Sequence, residues 1–212
     1  MKRSPFRAGF TLIEMITVMA VIVILVSMVL SVNGYVQRKA AGNRTKAEIA
    51  AISMAIENYS VDNGSVPREA ETTDILDPRN HGAPASGDQL KLYKMASQTL
   101  YKALSGDAEL TYKPKGKSYA GDFFRAERIK FDDPKSPERK VEYIQDPFGN
   151  CYGYSTMGLA ADEDYRMSLR KDPGATRPVE KGFNPTYDLW STGGSNVPKP
   201  VDEDRQKWIK NW

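Results

Sequence analysis

Residues 7–14 read Arg-Ala-Gly-Phe-Thr-Leu-Ile-Glu, and an apolar run follows them. The 23 residues from Phe10 to Val32 contain one ionisable side chain, Glu14. As a helix they rise about 34 Å, enough to cross a hydrocarbon core about 30 Å thick. A carboxylate inside such a segment costs about 3 kcal/mol unless something neutralises it. It therefore marks a functional position, and a second copy of the same chain is the most economical partner.

Taken alone, the segment fits a signal peptide or a plain single-span anchor. A secretory signal has a shorter apolar core that ends at a small-residue cleavage site. Here the run leads through Ser31-Val-Asn-Gly34 into further helix-like sequence. Charge does not orient the span. Lys2, Arg3 and Arg7 precede it, and Arg38, Lys39, Arg44 and Lys46 follow it.

Gly9-Phe10-Thr11-Leu12-Ile13-Glu14, behind a short basic leader and ahead of an apolar helix, resembles the class 3 signal of type IV prepilins. The resemblance implies that residues 1–9 are a leader peptide. A prepilin peptidase would cut between Gly9 and Phe10 on the cytoplasmic side and N-methylate Phe10. In a filament the Glu14 carboxylate would then sit near the N-terminal amine of a neighbouring Phe10. Each group would satisfy the other where an unpaired charge is costly. The competing role for Glu14 is a side chain that snorkels to the headgroup level near the helix start.

Residues 10–32 read as a transmembrane half-helix and 33–63 as its amphipathic continuation. Ile49, Ile52, Ala55, Ile56 and Tyr59 fall at helical spacing. Glu48, Ser53, Glu57 and Asn58 are expected on the opposite, polar face. Asp62-Asn63-Gly64 stops the helix, with Pro67 just beyond. Asn33-Gly34 and Gly42-Asn43 are weak points in it. Pilin-like helices are thought to melt locally near here, although this chain lacks the proline common in relatives. Tyr59-Ser-Val-Asp-Asn-Gly-Ser-Val-Pro67 is similar to the segment that closes the long helix of type II secretion major pseudopilins, with Val66 in place of an aromatic residue.

Residues 64–212 are expected to form a globular head. The charge of +3 equals the number of cations in the leader, so the remainder balances, and no basic patch suggests nucleic acid. A single cysteine, Cys151, precludes an internal disulfide. Residues 68–88 read as a loop. A helix is expected over Gln89–Leu104, with Asp88 as N-cap and Gly106 as stop. Leu110–Tyr112, Asp122–Phe124 and Arg128–Phe131 read as short strands. Val141–Ile144 and Cys151–Ser155 read as a hairpin, 159–183 as a charged loop, and Tyr187–Trp190 as a third strand. Asp146-Pro-Phe-Gly-Asn-Cys-Tyr resembles the Asp-Pro-Trp-Gly-Asn-x-Tyr segment of major pseudopilins. The stretches 68–140 and 159–183 hold insertions not typical of short members.

The tail from Asp202 to Trp212 resembles that family's acidic cluster and Ile-x-Asn-Trp ending. There the loop after the last strand binds calcium. By position the implied ligands are the Leu189 carbonyl, Ser191, Asp202 and Asp204, a donor set suited to a hard cation. The competing reading is a solvated acidic tail, because Ser195–Val201 contains two prolines and lacks the usual spacing. His81 is the only histidine and Cys151 has no partner cysteine, so neither a triad nor a histidine metal site is expected. Cys151 reads as a small core residue, and the Tyr and Trp content as packing.

The expected fold is α+β and pilin-like: a long N-terminal helix and a small head with a second helix and about three antiparallel strands. The expected role is structural and not enzymatic, as a pseudopilin of a type II secretion pseudopilus. The implied partners are other copies, other pseudopilins, the prepilin peptidase, and an inner-membrane platform with its ATPase. Before assembly the helix would sit in inner-membrane lipid, with the head in the bacterial periplasm. A type IV pilus or competence subunit is the alternative within this class. A single-span anchored binding or enzymatic domain is the alternative outside it.

Overall fold

The computed structural model describes residues 10–84, 87–198 and 201–212, and for residues 29–33 the backbone without side chains. The leader, including Gly9, lies outside the described residues. The chain divides into two compact units, Met1–Ala40 and Ala41–Trp212. Helix α1 spans Leu12–Asn63 and contributes to both. It is continuous through Gly34 and Gly42.

Within the first unit the described apolar side chains, from Phe10 to Met28, are all exposed. The polar ones are satisfied within their own helix. Thr17 Oγ1 donates to the Ile13 carbonyl at 2.8 Å, and Ser27 Oγ to the Val23 carbonyl at 2.7 Å. A helix that hides its hydroxyls and shows only hydrocarbon suits lipid or other helices. Among the described residues no helix is long and apolar enough to cross a membrane. Within the apolar run, which goes on to Val32 in the sequence, side chains are described as far as Met28.

The second unit is α+β. Helix α2 spans Gly87–Ser105, and Gly106 ends it at a positive φ of 76°. Strands β1 (Ile129–Phe131) and β2 (Val141–Ile144) pair antiparallel, with Ile129 opposite Ile144. Strand β3 (Gly153–Ser155), helix α3 (Met157–Lys171), strand β4 (Asp188–Ser191), helix α4 (Asp202–Gln206) and strand β5 (Ile209–Lys210) follow. The order β3-β4-β5 makes a second antiparallel sheet, joined to the first by a bridge between Gln145 and Cys151.

The amphipathic reading of α1 holds for its apolar stripe. Ile49, Ile52, Ala55 and Ile56 are buried against Leu100 and Leu104 of α2 and against Ile144, Tyr154 and Leu189 of the sheets. Each such aliphatic side chain contributes about 1.5–3 kcal/mol. Tyr93 and Ala96 of α2 join Leu76, Cys151, Trp190 and Trp208 in a second cluster. Ser97 of α2 accepts the Ile144 N–H at 2.8 Å, which seats this helix on β2. A side chain at Gly153 would run into the Trp190 ring, so glycine is required where these strands cross the indole.

Several expectations need correction. Leu110–Tyr112 is a turn with positive φ at Leu110 and Tyr112, and Gly121–Phe123 is a 3₁₀ turn. The Asp146–Asn150 turn closes as expected, with Asp146 N–H bonded to the Asn150 carbonyl at 2.8 Å. Its two arms nevertheless find different partners, β2 with β1 and β3 with β4, because the turn splits the ladder. The described residues hold five strands. The segment 159–183 is largely helix α3, which the alternating charges had masked. It has no fully buried residue, and packing therefore leaves little signal in its sequence. Glu48, expected on the polar face, is buried.

Candidate functional site

Thr11 and Glu14 open α1 as a reciprocal cap. The Thr11 N–H and hydroxyl both donate to Glu14 Oε2 at 2.8 Å, and the Glu14 N–H donates to Thr11 Oγ1 at 3.3 Å. This is the capping box, in which a threonine and a glutamate three residues on satisfy each other's backbone donors. The carboxylate also lies at the positive end of the helix dipole. Phe10 stands just outside the helix and is 84% exposed. The Thr-x-x-Glu spacing ahead of an apolar run is a legible signal for this cap, with Thr11 as its N-cap residue. Glu14 is thus held at the helix start with its carboxylate organised, beside the residue that becomes the N-terminus if cleavage follows Gly9.

The four implied calcium donors fall into two pairs. Leu189 and Ser191 lie on β4, and Asp202 and Asp204 on α4. The Leu189 carbonyl accepts the Asn211 N–H at 3.1 Å. The Ser191 hydroxyl donates to Asp146 Oδ2 at 2.5 Å. Asp202 pairs with Arg205 at 3.0 Å, and Asp204 with Lys207 at 3.7 Å. Asp204 Oδ2 also accepts the Val201 N–H at 3.4 Å. No hydrogen bond among the described residues joins the two pairs. Nor does any group of three or more His, Cys, Asp or Glu among them suit a metal. As arranged, each of these donors is engaged by a partner within the chain.

The strongest polar cluster of the head surrounds Glu48. Its Oε1 receives Arg44 Nε at 2.8 Å and Arg128 Nε at 3.0 Å, and its Oε2 receives the Tyr152 hydroxyl at 2.8 Å. Arg128 also donates to the Phe123 carbonyl at 2.8 Å and stacks over the Phe123 ring. Burial, with the adjacent Glu48 charge, raises the Tyr152 pKa, so the phenol stays a donor. The helical stripe that carries Ile49 and Ile52 also passes through Thr45 and Glu48, and all four are buried. That register was the available signal for Glu48, and residue type concealed it.

Asp146 and Asp188 are buried carboxyls held by backbone. Asp146 Oδ1 accepts the N–H groups of Phe148 and Asn150 at 2.9 and 2.8 Å. The two Asp188 oxygens accept those of Phe183 and Asn184, each at 2.8 Å. Desolvation raises both pKa values despite these bonds. Cys151 is a buried free thiol, pushed up by the same cause. His81 is half-buried, and its Nδ1 accepts the Asp77 N–H at 3.0 Å.

Residues 5–30 match the family described as the prokaryotic N-terminal methylation motif, the prepilin-type signal of type IV pilin-like proteins. No curated protein and no solved structure matches the chain. The chain carries the prepilin-type signal. That signal implies processing by a prepilin peptidase, anchoring by the N-terminal helix, and filament assembly in general.

Proposed function

We propose that the mature chain begins at an N-methylated Phe10 and assembles into a helical filament whose core is the packed apolar halves of α1. The observation that carries this reading is the organised Glu14 carboxylate at the start of an exposed apolar helix. A neighbouring Phe10 amine supplies the compensating charge, and helix–helix contacts replace lipid contacts. The subunit waits in the inner membrane with its head in the periplasm.

Among filament types we favour the type II secretion pseudopilus, driven by an inner-membrane platform and its ATPase. The Tyr59–Pro67 and Asp146–Tyr152 segments, which resemble major pseudopilins, support this choice, as does a head with a single cysteine. Mass spectrometry of the membrane-extracted protein tests the processing step. A methylated Phe10 terminus is expected, and an intact Met1 would leave a plain anchored domain. Deletion of the gene tests the filament type. Loss of secreted protein with surface appendages intact supports the pseudopilus. The opposite pattern assigns the chain to a type IV pilus or competence apparatus.

A further inference from the structure

Helix α4, which carries Asp202 and Asp204, is held in place by a cation of the chain itself. Arg205 Nε donates to the Pro78 carbonyl at 3.1 Å, Nη2 to the Arg79 carbonyl, and Nη1 to Asp202 Oδ1 at 3.0 Å. Its side chain is only 12% exposed. Two carbonyl oxygens and a carboxylate gathered around one positive group are the ligands that a hard cation selects. A guanidinium meets the same oxygens with fixed, planar donors and never loses its charge.

The surroundings oppose a second cation. The three acids Asp202, Glu203 and Asp204 lie among Arg205, Lys207 and Lys210. Burial, and then repulsion from Arg205, lower the Lys210 pKa, so positive charge is already crowded there. Downstream, Asn211 secures the last strand. Its Oδ1 accepts the Leu189 N–H at 2.9 Å, and its Nδ2 donates to the Tyr187 carbonyl at 3.3 Å. Trp208 stacks on Trp190 with ring centroids 6.2 Å apart.

We propose that Arg205 supplies the positive charge that ties the C-terminal segment to the Pro78–Arg79 turn, the task a calcium ion would otherwise perform, so that the head keeps its tail in place without metal. This holds whether or not the chain forms a filament.

The test is thermal melting of the full-length mature protein in detergent. The wild-type Tm is expected to be the same in calcium and in EGTA. Arg205→Ala is expected to melt lower, and Arg205→Lys, which keeps the charge on one donor group, between the two. Millimolar guanidinium is expected to restore part of the Arg205→Ala loss while leaving wild type unmoved, a response that lost packing alone does not give. If Arg205→Ala fails to fold, the chelator comparison on wild type and the Arg205→Lys Tm carry the test. A wild-type Tm that falls in EGTA and recovers with calcium overturns the proposal, as does an Arg205→Ala protein that melts like wild type.

Discussion

Helix α1 carries an exposed Glu14 at its start and a buried Glu48 in its second half, and they are satisfied in opposite ways. Glu14 is held by Thr11, three residues away, with both partners on the same helix end. Glu48 takes one partner from its own helix and two from far along the chain, Arg128 and Tyr152. The first arrangement organises a carboxylate and, among the described residues, brings it no positive charge from a side chain. The second neutralises it fully. The head thus closes the Glu48 charge internally, whereas Glu14 is bonded to its own helix end alone among the described residues.

The largest effect should fall on Glu14. Glu14→Ala is expected to abolish filament assembly in cells while the Tm of the head stays unchanged. A mutant that assembles normally would break the contrast. Glu48→Ala should do the reverse, because it leaves Arg44 and Arg128 without their carboxylate. Removing one partner of a buried pair costs about 3–5 kcal/mol, read as a shift in urea midpoint. Arg128→Ala should cost less, since Arg44 and Tyr152 still hold Glu48. A loss as large as that of Glu48→Ala would show that Arg44 contributes little.

A smaller signature is pH dependence. Burial raises the carboxyl pKa of Asp146 and Asp188 above the ordinary 3.8. Between the ordinary and the raised value the native state binds protons that the unfolded state has released, so stability falls as pH rises through that window. Asp146→Asn should flatten this slope in urea midpoints measured across acidic pH, and an unchanged slope would remove Asp146 as its source. Asp62 runs the other way. Lys117 lowers its pKa, so its contribution is lost as pH falls, but the pair is exposed. Lys117→Ala should leave the Tm within measurement error.

How much was legible follows from where each signal resides. The apolar stripe of Ile49, Ile52 and Ile56 and the stop at Gly64 are local, and they appear as read. The Thr11–Glu14 cap was equally local and simply overlooked. Glu48 was misplaced because its charge argued for solvent, and only partners 80 and 104 residues away reverse that argument. Helix α3 hid behind charge because it is more polar overall than α2 and buries none of its residues fully. The hairpin arms meet only at the turn, through the Gln145–Cys151 bridge, and beyond it β2 pairs with the nearby β1 and β3 with the distant β4.

Periodicity and composition alone determined that this chain has a long helix, apolar first and amphipathic after, with one carboxylate at its start. Those properties depend on neighbours three or four residues apart, which any reading of the order of residues contains. Tertiary structure alone decided that Glu48 is neutralised inside the head. It also decided that Arg205 reaches the Pro78–Arg79 turn and that the implied calcium donors take partners within the chain. These outcomes depend on which distant segments the fold brings within about 3 Å, where a hydrogen bond forms, and sequence spacing carries no record of that distance.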